Sequence, residues 1–336
     1  MSAAPDPDRF VREHGKRRSY TRSGPKANGA EQQGEAPALR VVTATQLMAL
    51  DIPPRELLLA PWLSAQGLAL LYARRGVGKT HLGMGIAYAV ASGGSFLRWR
   101  APRPRRVLYI DGEMPARVLQ ERLAAIVKGQ PSEAQEPPDD YLRFITPDLQ
   151  KGPIPNVATA EGQAALDPVL KNTDLAIVDN LSCLAHYGIE NEAESWTPIQ
   201  SWALRLRHQS TSVLFLHHAG KGGDQRGTSR REDVLDTVVR LSRPSDYQAN
   251  EGARFEVHFE KARGLYGPDA LPFEAKLEVH DGAAVWTMRS LDEMAAEQVA
   301  DLLRQGMKQR EAAAELGMSK SAVNRHARRA REAGLL

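Results

Sequence analysis

Of the 336 residues only one, Cys183, is a cysteine. A lone thiol excludes a disulfide framework or a cysteine zinc cluster within one chain. No run of about 18 apolar residues occurs, which excludes a membrane-spanning helix. The first residues lack the apolar segment of a secretory signal, so a cytoplasmic protein is expected. Excess charge is missing as well: 44 Lys and Arg against 41 Asp and Glu leave a net +3. The molecule as a whole is not a polycation, and any nucleic-acid binding must come from local patches. No internal repeat is visible. What is present is 42% hydrophobic residues over a length that allows one large α/β domain and something smaller.

Three regions are expected. Residues 1–40 are rich in Pro, Gly, Ser and charge without apolar periodicity, and read as a disordered basic tail. The cluster GKRRSYTRSGPK (15–26) within them is either solvated or an arm that touches DNA or a partner. Residues 41–290 read as the globular core. Short buried runs LALLYA (68–73), RVLYIDG (106–112), YLRFIT (141–146), DLAIVDN (174–180), SVLFLHH (212–218) and VLDTVVRL (234–241) alternate with helical segments. One helix starts at Pro115, which the first turn tolerates. Strands alternating with helices predict a mainly parallel sheet with helices on both faces. After residue 250 alternating segments predict an antiparallel β-meander. Residues 291–336 are expected to be wholly helical.

ARRGVGKT (73–80) differs by one letter from the phosphate-loop pattern G-x-x-x-x-G-K-[ST], because Ala73 stands at its first position. Backbone N–H groups of a tight turn and of the following helix converge on phosphates. Gly76 and Gly78 allow that turn, Lys79 brings a charge to the β/γ-phosphates, and Thr80 offers a hydroxyl to Mg²⁺. If position 73 needs a positive φ, alanine costs roughly 1–2 kcal/mol there. The expected nucleotide contacts are Arg75, Gly76, Val77, Gly78, Lys79, Thr80 and His81, and the expected ligand is ATP with Mg²⁺. Asp179 ends a buried strand, where an aspartate helps to hold that metal. Glu113 follows another strand end and is a candidate to polarise the attacking water, with Asp111 as its rival.

These motifs together, over about 55–290, resemble the RecA-like ATPases, and within them the plasmid RepA branch related to DnaB-type hexameric helicases. The resemblance implies a RecA-like fold, a catalytic base at Glu113, and a γ-phosphate-sensing histidine at His218, with His217 close behind. It implies that the loop AGKGGDQRGTSRRED (219–233) faces a ring channel, with Lys221, Arg226, Arg230 and Arg231 on single-stranded DNA. A merely solvated loop is the alternative, and the loop has no aromatic residue for base stacking. The family's K-x-R falls on Lys261 and Arg263, which would complete a neighbouring subunit's site. Arg226 is the alternative finger. The expected assembly is a homo-oligomer, with a hexamer favoured.

The tail carries a second signature. QREAAAEL, a turn GMS and KSAVNRHARRAREAG have the plan of a helix-turn-helix, with Ser319 as N-cap of the second helix. Lys320, Asn324, Arg325, Arg328 and Arg329 are the candidate contacts to duplex DNA, with Asn324, Arg325 and Arg328 the candidates for base edges. A basic helical bundle for oligomer contacts is the bland alternative. The expected function is an ATP-driven motor on single-stranded DNA, a RepA-like helicase; the alternative is a DNA-binding ATPase switch in regulation, partition or recombination.

Overall fold

The computed structural model describes residues 39–185, 192–219 and 233–336, with backbone alone at 192–195. The expected basic arm at 15–26 and the loop residues Lys221, Arg226, Arg230 and Arg231 lie outside the described residues. The chain divides into two units, Met1–Pro53 and Pro54–Leu336. In the first, α1 (Ala44–Ala49) is held by a capping box between Thr43 and Gln46.

The second unit begins with the hairpin β1 (Leu57–Leu59) and β2 (Leu63–Ser64), then β3 (Leu68–Ala73), α2 (Lys79–Ser92), and the hairpin β4 (Ser95–Phe96) and β5 (Trp99–Arg100). There follow β6 (Val107–Asp111), α3 (Ala116–Lys128), β7 (Leu142–Ile145), α4 (Ala160–Leu170), β8 (Leu175–Asp179), α5 (Leu181–Leu184), α6 (Glu192–His208) and β9 (Ser212–His218). The chain continues with β10 (Thr237–Ser242), β11 (Arg254–Ala262), β12 (Phe273–His280), β13 (Ala283–Ser290), α7 (Leu291–Arg304), α8 (Gln309–Glu315) and α9 (Lys320–Glu332).

Nine strands form one sheet in the order β13-β12-β11-β10-β3-β9-β8-β6-β7. The six from β10 to β7 are parallel, and β11, β12 and β13 extend the sheet antiparallel. This is the α/β architecture that the sequence predicts, with the meander fused to the parallel sheet. Two boundaries differ from expectation. Pro115 is the N-cap of α3 rather than its first helical residue. β10 starts at Thr237 rather than Val234; just before it, Asp236 bonds Leu68 through its N–H and its carboxylate and accepts the Arg263 N–H at its carbonyl.

Burial explains the layers. Strands of a parallel sheet are covered on both faces, so both side-chain sets are apolar. Ala69, Leu71 and Ala73 of β3 pack under α2, whereas Leu68, Leu70 and Tyr72 point into the opposite core with Trp202 and Leu206 of α6. The helical tail belongs to the same compact unit. Ser290 ends β13 and caps α7, so the expected boundary at 290/291 falls between two directly joined elements. Val299, Ala312, Val323 and Ala327 form a small core among α7, α8 and α9. No described helix is long and apolar enough to cross a membrane.

Candidate active site

The site grows from the C-terminal edge of the parallel strands, where open α/β sheets bind ligands. β3 ends at Ala73 and the loop re-enters as α2 at Lys79. Ala73 is not among the residues with positive φ, so the departure from glycine carries no backbone strain. The loop's glycines differ in that respect: Gly76 has φ 75° and Gly78 φ 130°. A Cβ on Gly78 would also lie 2.7 Å from Phe255 Cε1, so a side chain is excluded twice over. Val77 is buried in the core, which leaves only its backbone to the loop.

Lys79 is 5% exposed. Its ammonium donates to the carbonyls of Ala73 (3.2 Å) and Arg74 (3.3 Å) and lies 3.0 Å from His218 Nδ1. Position 73 thus contributes a carbonyl that any residue supplies. Burial pulls the Lys79 pKa from 10.5 down to about 8, against the opposing pull of Asp179 and Glu113. The same burial, reinforced by the Lys79 charge, brings His218 down to about 4, so its ring is neutral near pH 7. A neutral ring that accepts from Lys79 at Nδ1 carries its proton on Nε2, which faces Glu113 Oε2 at 3.8 Å.

Strand register decides between the two histidines. His218 pairs with Ala73, on the face toward α2, and His217 pairs with Tyr72 on the other. Only His218 of the two lines the cleft.

The carboxylates separate by the same logic. Asp111 is 1% exposed, and its Oδ1 accepts the N–H groups of Glu113 (2.9 Å) and Met114 (2.6 Å). Burial pushes its pKa up to about 6 in spite of those two bonds. Asp111 therefore shapes the turn, and the exposed Glu113 side chain is the one presented to the cleft. Asp179, 3% exposed, accepts from Tyr109 Oη (2.6 Å) and from the Thr80 hydroxyl. Burial raises its pKa, and those hydrogen bonds and Lys79 pull it back.

Arg75, Gly76, Gly78, Lys79, Thr80 and His81 line a cleft of about 580 Å³ together with Glu113, Asp179 and His218. Sequence reading missed Arg122, Asn180 and Tyr247 on its walls. Arg122 makes one hydrogen bond among the described residues, to Met114 Sδ at 3.3 Å. Helical spacing hid it: α3 follows the Glu113 turn and returns its Arg122 to the cleft two turns later. A smaller apolar recess of about 360 Å³ adjoins, sharing His81 and Arg122 and walled by Leu277 and Trp286. Burial and then Arg122 lower the His81 pKa to about 4.

Other candidates lie elsewhere. Lys261 and Arg263 are at the opposite edge of the sheet, where β11 leaves the start of β10. Arg263 is 57% exposed, donates to Asp233 O (3.1 Å) and lies 3.8 Å from Asp236 Oδ1. On α9, Lys320, Asn324, Arg325 and Arg328 are exposed. Arg329 turns away from them and pairs with Asp292 (2.7 Å) and Glu293 (3.7 Å) on the first turn of α7. The turn before α9 runs 316–319, and Ser319 caps the helix by accepting from Ala322 N–H at 3.2 Å.

Residues 32–224 match a family model described as AAA domain. Among solved structures the chain is similar to a KaiC-like protein from the hyperthermophilic archaeon Pyrococcus horikoshii OT3, at 15% identity over 67% of this chain and 90% of that one, with a TM-score of 0.46.

Proposed function

Because the chain belongs to the AAA domain family of P-loop ATPases, we propose that it is a DNA-associated motor, a ring helicase of the RepA type that translocates on single-stranded DNA by hydrolysing ATP. The observation that carries the hydrolytic part is the convergence of Lys79, Thr80, Asp179, Glu113 and His218 on one cleft.

The residues divide the work. Loop N–H groups and Lys79 hold the phosphate chain. Thr80 and the buried Asp179 offer hard oxygens suited to Mg²⁺, and no group of three or more His, Cys, Asp or Glu among the described residues competes for a metal. A cation held there would neutralise part of the phosphate charge. Glu113 accepts the proton of a water aimed at the terminal phosphorus; the phosphorus–oxygen bond to the β-phosphate breaks, and ADP and phosphate leave. His218, neutral and tethered to Lys79, is placed to register the phosphate that replaces it as the lysine's partner. The apolar recess beside Arg122 and Trp286 suits a flat base.

Support for a ring comes from sheet polarity. Lys261 and Arg263 stand at the edge away from their own cleft, so any catalytic role must be played on a neighbour's nucleotide. The test is ATP-driven strand displacement beside the mass of the assembled particle. Wild type should unwind and assemble as a ring, and Arg263→Ala should bind ATP without turning it over. Mixed with Glu113→Gln subunits, Arg263→Ala subunits should regain part of the rate. A monomer with full turnover would sink the shared site.

The exposed face of α9 supports a duplex-binding role for the tail, and with it the reading as an ATPase switch. α7 packs against the β12–β13 side of the core, so point variants are cleaner than truncation. Arg325→Ala/Arg328→Ala should weaken duplex binding, each lost base-edge contact costing about 1–3 kcal/mol. ATP turnover should be untouched, and an unchanged duplex affinity would remove α9 from the DNA.

A further inference from the structure

Glu113 is more than half exposed and stands on the loop after β6, yet its side chain is held on one side. Asn180, 3% exposed at the end of β8, donates from Nδ2 to Glu113 Oε2 at 2.6 Å. Its Oδ1 accepts the Cys183 N–H at 3.2 Å, capping α5. That cap decides which way the amide points. Reversed, the NH₂ group would meet a backbone N–H and the oxygen would meet a carboxylate, and both contacts would be repulsive. α5 is itself anchored, because Leu181 and Leu184 are buried in the core beneath it. The other groups near Glu113 converge on the same oxygen: His218 Nε2 at 3.8 Å and Cys183 Sγ at 3.7 Å. Oε1 carries no hydrogen bond among the described residues, and Glu113 lines the cleft.

We infer that Asn180 is the positioning residue for Glu113: its amide, oriented by the α5 cap, pins Oε2 and aims Oε1 at the water that attacks the nucleotide. Two tiers result. Asp111 sets the Glu113 backbone through its N–H, and Asn180 sets the side chain. The residue next to the metal-binding aspartate thus couples the two carboxylates that the reaction uses, since Asp179 and Asn180 are consecutive. The inference rests on Glu113 being the base.

Asn180→Asp is the decisive variant. Aspartate keeps the cap, so α5 and the fold persist, but it removes the donor and sets a like charge against Glu113. Expected are a fall in kcat of about 10–100-fold, a Kd for Mg-ATP within about twofold of wild type, and an acid limb of the kcat–pH profile moved to higher pH. Asn180→Ala should lower kcat similarly, without moving that limb upward. Both are measured beside Glu113→Gln. Turnover within twofold of wild type in Asn180→Asp, or an unmoved acid limb, overturns the inference, as does binding lost in parallel with kcat. Full hydrolysis by Glu113→Gln would instead overturn the assignment of the base.

Discussion

Replacing Lys79 by Met is expected to abolish ATP hydrolysis, by at least about 10²–10³-fold, and to raise the melting temperature of the nucleotide-free protein. The two effects have one cause. Lys79 is buried with two carbonyls and a neutral imidazole as its nearest partners. Its folded pKa of about 8 lies below its ordinary value of 10.5. For a base this sign means that the charged form burdens the native state at neutral pH, on the order of 3 kcal/mol. The burden is full below about pH 8 and fades as pH rises toward the unfolded value. Methionine keeps the aliphatic volume and removes the charge, so calorimetry at pH 7 should show a higher Tm, by a few degrees. Wild type should close that gap between about pH 8 and 10, and its ATP affinity should weaken over the same range as the ammonium is lost. Undiminished hydrolysis would remove the phosphate site from this loop. A lower Tm at pH 7 would show that the lysine is structural.

Glu113→Gln should reduce kcat by about 10²–10⁴-fold, the usual contribution of a positioned base. Mg-ATP binding should hold within a few-fold, because the side chain stands off the loop and lends it no hydrogen bond. Gln keeps the length and can still meet Asn180 through its oxygen, so a lost rate reports lost basicity. Asp111→Asn is the companion. Its oxygen can still accept the Glu113 and Met114 N–H groups, and a much smaller fall is expected. Single-turnover hydrolysis and equilibrium nucleotide binding measure both. If Asp111→Asn proved the slower enzyme and Glu113→Gln ran at the wild-type rate, the roles of the two carboxylates would be exchanged.

Residues whose function depends on their immediate neighbours were legible. The positive-φ turn at Gly76 and Gly78, the apolar run of β8 that ends at Asp179 and the cap at Ser319 are each set by backbone conformation, composition or contacts within a few residues. Ala73 was ambiguous only because a pattern of letters does not say which positions need a positive φ. Residues whose role depends on distant partners were not. Arg122 and Asn180 are common surface-type residues in the sequence, and become part of the cleft only when α3 and β8 are set beside α2. Arg329 looked like its neighbours Arg325 and Arg328, yet a helix turns about 100° per residue and delivers it to Asp292.

The sequence alone determined that short apolar strands alternate with helices and that a phosphate loop joins one such pair, because periodicity and turn chemistry act locally. Tertiary structure decided which strands lie side by side and on which edge each residue emerges. Register turned His218 rather than His217 toward Lys79, and sheet polarity put Arg263 at the edge away from its own cleft. These outcomes follow from long-range hydrogen bonding and burial, which couple residues as far apart in sequence as Lys79 and His218 and leave no trace in the spacing of either partner.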